Sequence, residues 1–282
     1  MPLRTRTRAA AADAAHQRWT LADIPWEAID HDAMRDNEAM FYLVATASFM
    51  EATTDLYTQN LIDHFQGDEE VTTWLADHWL PEELQHGRAL RHYVETAWPD
   101  FAWEERYGPF VEEFQAYCKL ELLEPARGLE MASRCVVEMG TASYYTTLSR
   151  ASPDPVLSLL ARRIAEDEVR HYKYFYRYFR HYRETDRVSR RAVAPALWRR
   201  LKMTDGEDSF VVLKHVYAAR HPQAPFDAAV YRGLRRQCRA LLGRHFPHGM
   251  SVRMLLKPLG LGRRAQSLAV PVLETLARRL VP

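Results

Sequence analysis

The chain reads as an all-α protein: four long helices forming a bundle, with additional helices C-terminal to it. Three observations predict this. Only 11 of 282 residues are glycine, and long windows run without Gly or Pro, so helices are interrupted rarely. Apolar residues recur at helical rather than strand spacing, and no hairpin signal or nucleotide-binding glycine loop is present. Finally, a long helical pattern, a turn and a second long pattern carrying Glu-x-x-His occur in succession, and then occur again.

Taken in order, residues 1–31 form an N-terminal arm. Its first part, Met1 to Ala15, is rich in Arg and Ala and poor in acids, and Trp19 to Ile29 is a connecting segment broken by Pro25. A helix is predicted from Asp32 to about Phe65, with Val44, Ala47, Glu51 and Asp55 on one stripe. Gln66-Gly67-Asp68 stops it and supplies an N-cap, followed by Glu69 and Glu70 in a favourable first turn. The second helix runs to Trp98 before Pro99. It contains Pro81, which has no N–H to donate, so a kink or bulge is predicted just before Glu83. Trp103 to Gly108 reads as irregular, and helix resumes at Pro109 until Pro125. The third long helix covers Ala126 to Ser149; Ser152-Pro153-Asp154-Pro155 is a turn and cap; the fourth covers Val156 to about Glu184. This places the bundle at 32–186. Shorter helices follow in an extension at 187–282: Ser189–Arg200, Ser209–Arg220, Asp227–Phe246 and an amphipathic one over Arg263–Leu280, broken at Pro271.

Composition narrows the class. At 47% apolar residues the chain has ample material for a core, and no apolar run is long enough to cross a bilayer. The cysteines Cys118, Cys135 and Cys238 are odd in number and scattered, which points away from a disulfide framework and towards a reducing, cytoplasmic setting. Charge is lopsided. From Arg177 onward lie 22 of the 38 Lys and Arg but 7 of the 37 acids, a balance of +15 against −14 for the preceding part. Either the basic part (Arg183, Arg187, Arg190, Arg191, Arg199, Arg200) meets an anionic partner, or these are solvated helix faces.

The chemistry sits in Glu83/His86 and Glu168/His171. Three residues on a helix turn through about 300°, so each pair leaves one face, a turn apart, and presents a carboxylate and an imidazole to one metal ion. A pair of ions needs a further carboxylate from each of the other two long helices. Glu51 follows the apolar run Phe41 to Met50, and Glu138 follows Val136-Val137; acids there are costly unless neutralised or metal-bound. Thirty-two residues separate Glu51 from Glu83 and 30 separate Glu138 from Glu168, which puts the acids at similar heights in both halves. Glu130 is the rival of Glu138, but stands near the helix start beside Arg127, where an exposed acid is unremarkable. The candidate set is Glu51, Glu83, His86, Glu138, Glu168 and His171. Its mixed O/N donors suit iron or manganese more than zinc. Glu82 and Asp167 are placed to reach the His of the opposite pair and fix its ring.

These motifs resemble the ferritin-like di-iron carboxylate superfamily, and within it the soluble acyl-carrier-protein desaturases. Trp79-Leu80-Pro81-Glu82-Glu83-Leu84-Gln85-His86-Gly87 is similar to the family's Trp-x-x-Glu-Glu-x-x-His-Gly helix, and Asp167-Glu168-Val169-Arg170-His171 to its Asp-Glu-x-Arg-His helix. The resemblance covers about Phe41 to Arg180 and implies a ferritin-like four-helix bundle holding two iron ions (Fe2+/Fe3+), with manganese an option at one position. It further implies that Glu83 and Glu168 bridge, that Glu51 with His86 and Glu138 with His171 cap one iron each, and that Thr141 is an oxygen-side hydroxyl. Gln85, where the family usually has Arg, and Pro81 depart from it.

The implied activity is O2-dependent oxidation, desaturation or hydroxylation, of a fatty acyl thioester-like substrate. A ferredoxin-like electron donor, an acyl carrier protein and a homodimer are the implied partners, with no nucleic acid and no membrane. Oxidation of an amine, a small molecule or a tRNA base, or handling of iron itself, uses the same kind of site. Trp19 and Trp26 lie either on an electron route or in apolar cover. Tyr172, Tyr174, Phe175, Tyr176, Tyr178 and Phe179 line a substrate tunnel, or are buried or at a dimer face.

Overall fold

The computed structural model describes residues 18–203 and 207–280, so the basic stretch from Met1 to Ala15 lies outside the described residues. Those described are helical throughout, with no strand among them. In chain order the helices are α1 (His31–Arg35), α2 (Glu38–Glu51), α3 (Thr54–His64), α4 (Glu69–Trp74), α5 (Leu80–Ala97), α6 (Trp103–Phe114), α7 (Arg127–Ala151), α8 (Pro155–Thr185), α9 (Arg190–Met203), α10 (Glu207–Arg220), α11 (Ala228–Gly243), α12 (His248–Leu256) and α13 (Arg263–Leu280). Their starts carry the expected acceptors: Asp68 caps α4 through Val71 N–H, and Asp154 caps α8 through Leu157 N–H.

α7 and α8 form an extended pair, α2 packs on α5, and α5 meets α8. Two apolar clusters fill the space between them. One gathers Phe41, Phe49, Tyr93, Trp98, Trp103 and Leu160; the other gathers Leu61, Trp79, Met131, Phe175 and Phe179. Of the aromatic run on α8, Tyr172, Phe175, Tyr178 and Phe179 are buried in this second cluster, and Tyr174 and Tyr176 pack against it. α9 and α12 lie on α7, α10 on α6, and α11 on α2.

Several boundaries differ from expectation, each for a tertiary reason. The helix expected over Asp32 to Phe65 is three helices, and its second break, at Ala52-Thr53, directly follows Glu51. Gly87 of α5 faces that break: a Cβ on it would lie 2.8 Å from Ala52 N and 2.9 Å from Ala52 Cα. Carbonyls released by the break are taken by hydroxyls, Thr54 donating to Glu51 O at 3.0 Å and Tyr107 to Ala52 O at 2.6 Å. Between α4 and α5 the chain makes one π-helical turn, Leu75–Trp79, closed by Leu80 N–H on Leu75 O. That is the bulge expected ahead of Glu83. The stretch expected to be irregular, Trp103 to Gly108, is the first half of α6, because Trp103 is buried against Phe49 and donates to Ser48 Oγ at 2.9 Å. Asp227–Phe246 is shorter than expected, ending at Gly243, and α12 was not anticipated. α13 continues through Pro271 rather than breaking. Ser267 and Pro271 both lie on its exposed side, where water can take the carbonyl that proline leaves without a donor.

The Gly87 contact yields a direct expectation. Gly87→Ala forces α5 away from the Ala52 break and lowers unfolding stability by about 1–3 kcal/mol while keeping helix content. Denaturant titration followed by circular dichroism measures it; an unchanged midpoint contradicts the contact.

Candidate metal centre

Each long helical segment delivers a polar side chain to one point in the core. α2 supplies Glu51 from its last turn; α5 supplies Glu83 and His86; α7 supplies Glu138; α8 supplies Glu168 and His171. All six are buried, with exposures from 0% for His86 to 8% for Glu51. Their ligand atoms fall into two groups, Glu51, Glu83, His86 and Glu168, and Glu83, Glu138, Glu168 and His171, within each of which the atoms lie no more than 4.8 Å apart. Glu83 and Glu168 belong to both groups, which is the arrangement of a pair of ions sharing two carboxylates.

The histidines are held at their outer nitrogens. His86 Nε2 lies 3.1 Å from Asp167 Oδ2, and His171 Nε2 lies 2.7 Å from Glu82 Oε2. Each acid therefore reaches from one Glu-x-x-His helix to the imidazole of the other. With Nε2 engaged by the acid, each Nδ1 faces the carboxylates, where it carries a proton in the metal-free protein and would offer its lone pair to a bound cation: His86 Nδ1 is 3.4 Å from Glu168 Oε1, and His171 Nδ1 is 2.9 Å from Glu83 Oε1. Both Nδ1 atoms and Glu168 Oε1 are buried without a hydrogen-bond partner. Buried polar atoms converging in this way fit a cation, and the four carboxylates with two imidazoles could hold two.

An outer ring holds the acids in turn. Arg170 donates to both oxygens of Glu82 at 2.9 Å and also to Asp167. Trp19 Nε1 donates to Asp167 Oδ2 at 2.7 Å, while Gln85 Nε2 donates to the Trp19 carbonyl at 3.0 Å. Gln85 thus ties the N-terminal segment to α5 and fixes Trp19. Trp26 has no such role; it donates to Leu21 O and packs edge-on to His92. Tyr145 donates to Glu51 Oε1 at 2.5 Å, and Thr141 Oγ1 donates to Glu168 Oε2 at 2.6 Å. Spacing did not single out Tyr145 or Arg170, although Tyr145 stands seven residues after Glu138, two turns along the same face. Glu130 proves buried rather than exposed. It accepts from Arg134 at 2.9 Å and from Glu124 N–H at 2.8 Å, so its charge is matched away from the cluster.

Electrostatics register the crowding. Burial, with the neighbouring carboxylates, raises Glu51 and Glu83, and burial pushes Glu138 up to about 8. For Glu168, burial pushes upward, but the hydrogen bond and charge of the histidines prevail and lower it. Burial would depress both histidines; the carboxylates around them outweigh it and hold them well above the usual imidazole range. Asp167 and Glu82 are lowered against their burial by His86, His171 and Arg170.

A cleft of about 770 Å³ is lined by Arg18, Glu70, Trp74, Tyr174 and Arg177, and by Glu82 and His171 of the cluster. No protein-family model matches the chain, and no curated protein matches it.

Two outcomes follow from this geometry. Without metal, the folded chain keeps protons on Glu138 up to about pH 8 and on both histidines above their usual range, whereas the unfolded chain has lost them by about pH 4.5 and 6.5. The native state then binds more protons, so metal-free stability falls as pH rises through that window. Thermal unfolding at pH 6 and pH 8 shows a lower midpoint at the higher pH, and a divalent cation, by replacing the protons, shrinks the difference. Secondly, Asp167→Asn weakens metal affinity by roughly 10–100-fold, read by competition with a chelating dye; undiminished affinity contradicts the role given to the His86 contact.

Proposed function

We propose that the chain is a ferritin-like di-iron oxidoreductase that uses O2 to oxidise an apolar, fatty acyl thioester-like substrate. The observation that carries this reading is the pair of donor groups sharing Glu83 and Glu168, each completed by one carboxylate and one histidine. The desaturase-like motifs around Glu83 and Glu168 add the substrate class. On this reading residues 32–186 are the four-helix bundle and 187–282 an extension packed upon it.

When bound, two ferrous ions would supply the electrons with which O2 is activated, Glu51 and His86 holding one and Glu138 and His171 the other, with Glu83 and Glu168 between them. The chain's own residues set the conditions. Asp167 and Glu82 keep the imidazole protons at Nε2 and so leave Nδ1 available. Thr141 keeps a proton at Oγ1, 2.6 Å from Glu168 Oε2, where it can be passed to or withheld from that carboxylate. Tyr145 fixes Glu51 and prevents it from turning away. The surrounding core, with Met139, Tyr145 and Trp79 buried, excludes bulk water from the cluster.

Electrons would arrive from a ferredoxin-like donor, with Trp19, which donates to Asp167, as a candidate relay. An acyl carrier protein would present the substrate, and a homodimer is the assembly we assign.

Anaerobic protein loaded with about two ferrous ions per chain and exposed to O2 with acyl-carrier-protein thioesters should yield a product lighter by two hydrogens or heavier by one oxygen, read by mass spectrometry. Iron oxidation without any change in the thioester would instead assign an iron-handling role. Retained binding of both ions after Glu83→Ala with Glu168→Ala would sink the site itself.

A further inference from the structure

The last helix, α13, is packed on one side only. It rests on α12, and its half-buried side carries Val270, Leu273 and Ala277 together with Glu274, whose Oε2 lies 3.1 Å from where a Cβ on Gly249 would sit and which takes Arg278 at 2.8 Å. Glu274 is the only acid in the helix. The outward side carries Leu268, Val272 and Leu276, exposed by 74%, 67% and 48%. Spaced four apart, they form one stripe about 12 Å long. Arg264 stands four residues before Leu268, and Arg279 three after Leu276, so both extend the same face; Arg263 and Arg278 are also exposed. An apolar stripe set among arginines, with no carboxylate on its side of the helix, is the pattern of a helix that lies in the plane of a membrane surface.

We infer that α13 binds the surface of an anionic bilayer, with Leu268, Val272 and Leu276 entering the acyl boundary and Arg264 and Arg279 meeting lipid phosphates. Charge complementarity selects this occupant: the helix ends a part of the chain whose balance is +15. Shape selects it over an acidic protein. The stripe is a projecting ridge, and burying a ridge requires a partner with a matching groove, whereas lipid packs around any convex apolar surface and the long arginine side chains reach back to the headgroups. No helix among the described residues is long and apolar enough to cross a membrane, so the contact is peripheral. It departs from the expectation of no membrane partner, and it does not depend on the metal centre.

Sedimentation of the full chain with phosphatidylcholine vesicles, alone or mixed with phosphatidylglycerol, tests the inference. The chain should partition onto the mixed vesicles at low salt and be released as salt rises. Leu268→Ser with Val272→Ser and Leu276→Ser, and separately Arg264→Glu with Arg279→Glu, should each reduce that partitioning by about tenfold or more. Circular dichroism and metal content, unchanged in both, establish that the variants are folded; should the serine variant lose its fold, the charge variant decides alone. Failure of the parent chain to partition at low salt overturns the inference, as does equal partitioning of parent and folded variants. So does capture of acyl carrier protein by this face with no binding to vesicles.

Discussion

Four carboxylates gathered in a dry core are the constraint from which the rest of the structure follows. At ordinary pH such a group repels itself and is poorly solvated, and it persists only where protons or cations neutralise it. Here the first neutralising layer is internal. His86 and His171 face the carboxylates through Nδ1 and are gripped from behind by Asp167 and Glu82, and Arg170 binds both of those acids. The crossing matters mechanically. Because Asp167 on α8 holds the His86 of α5, and Glu82 on α5 holds the His171 of α8, neither helix can slide or rotate without losing contacts at both ends of the cluster.

The second layer is geometric. Glu51 belongs to the last turn of α2, and the chain breaks immediately afterwards so that Gly87 can press its backbone against Ala52. Any side chain at 87 would hold α5 away and lift His86, one residue earlier, from its place beside Asp167. The π-helical turn at Leu75–Trp79 has a related effect, because an extra residue in one turn changes the direction in which Glu82 and Glu83 emerge relative to α4. Pro81, which cannot donate a hydrogen bond, sits just past that turn at the second position of α5, where the π turn hands the chain on without a break.

The two half-sites are not equivalent. Tyr145 and the Trp19–Asp167 chain brace the Glu51/His86 side, while the Glu138/His171 side is braced by Arg170 and Glu82, and its His171 lines the cleft. Gln85 illustrates how a departure from a familiar motif can be local in sequence and structural in effect: its amide holds the Trp19 carbonyl and so brings a distant segment into the environment of His86.

Helical class, the two long helices α7 and α8, and the six acidic and imidazole side chains that meet in the core were legible in the sequence, because each is a local property: periodicity fixes which face a residue takes, and a three-residue spacing fixes that Glu83 and His86 share one. The bulge ahead of Glu83 was legible for the same reason, through Pro81. What was not legible depends on partners far along the chain. The close approach of the Ala52 break to α5 depends on Gly87, the helical turn at Trp103 on Phe49 and Ser48, the burial of Glu130 on Arg134 and the Glu124 backbone, and the place of Trp19 on Gln85 and Asp167. Tyr145 fell on the right face but gave no sign that its hydroxyl would meet Glu51, since that contact spans two helices. Sequence alone determined which residues bear the charge and on which helix faces; only the tertiary structure decided how that charge is matched, because matching is done by hydrogen bonds between elements that are neighbours in space and strangers in sequence.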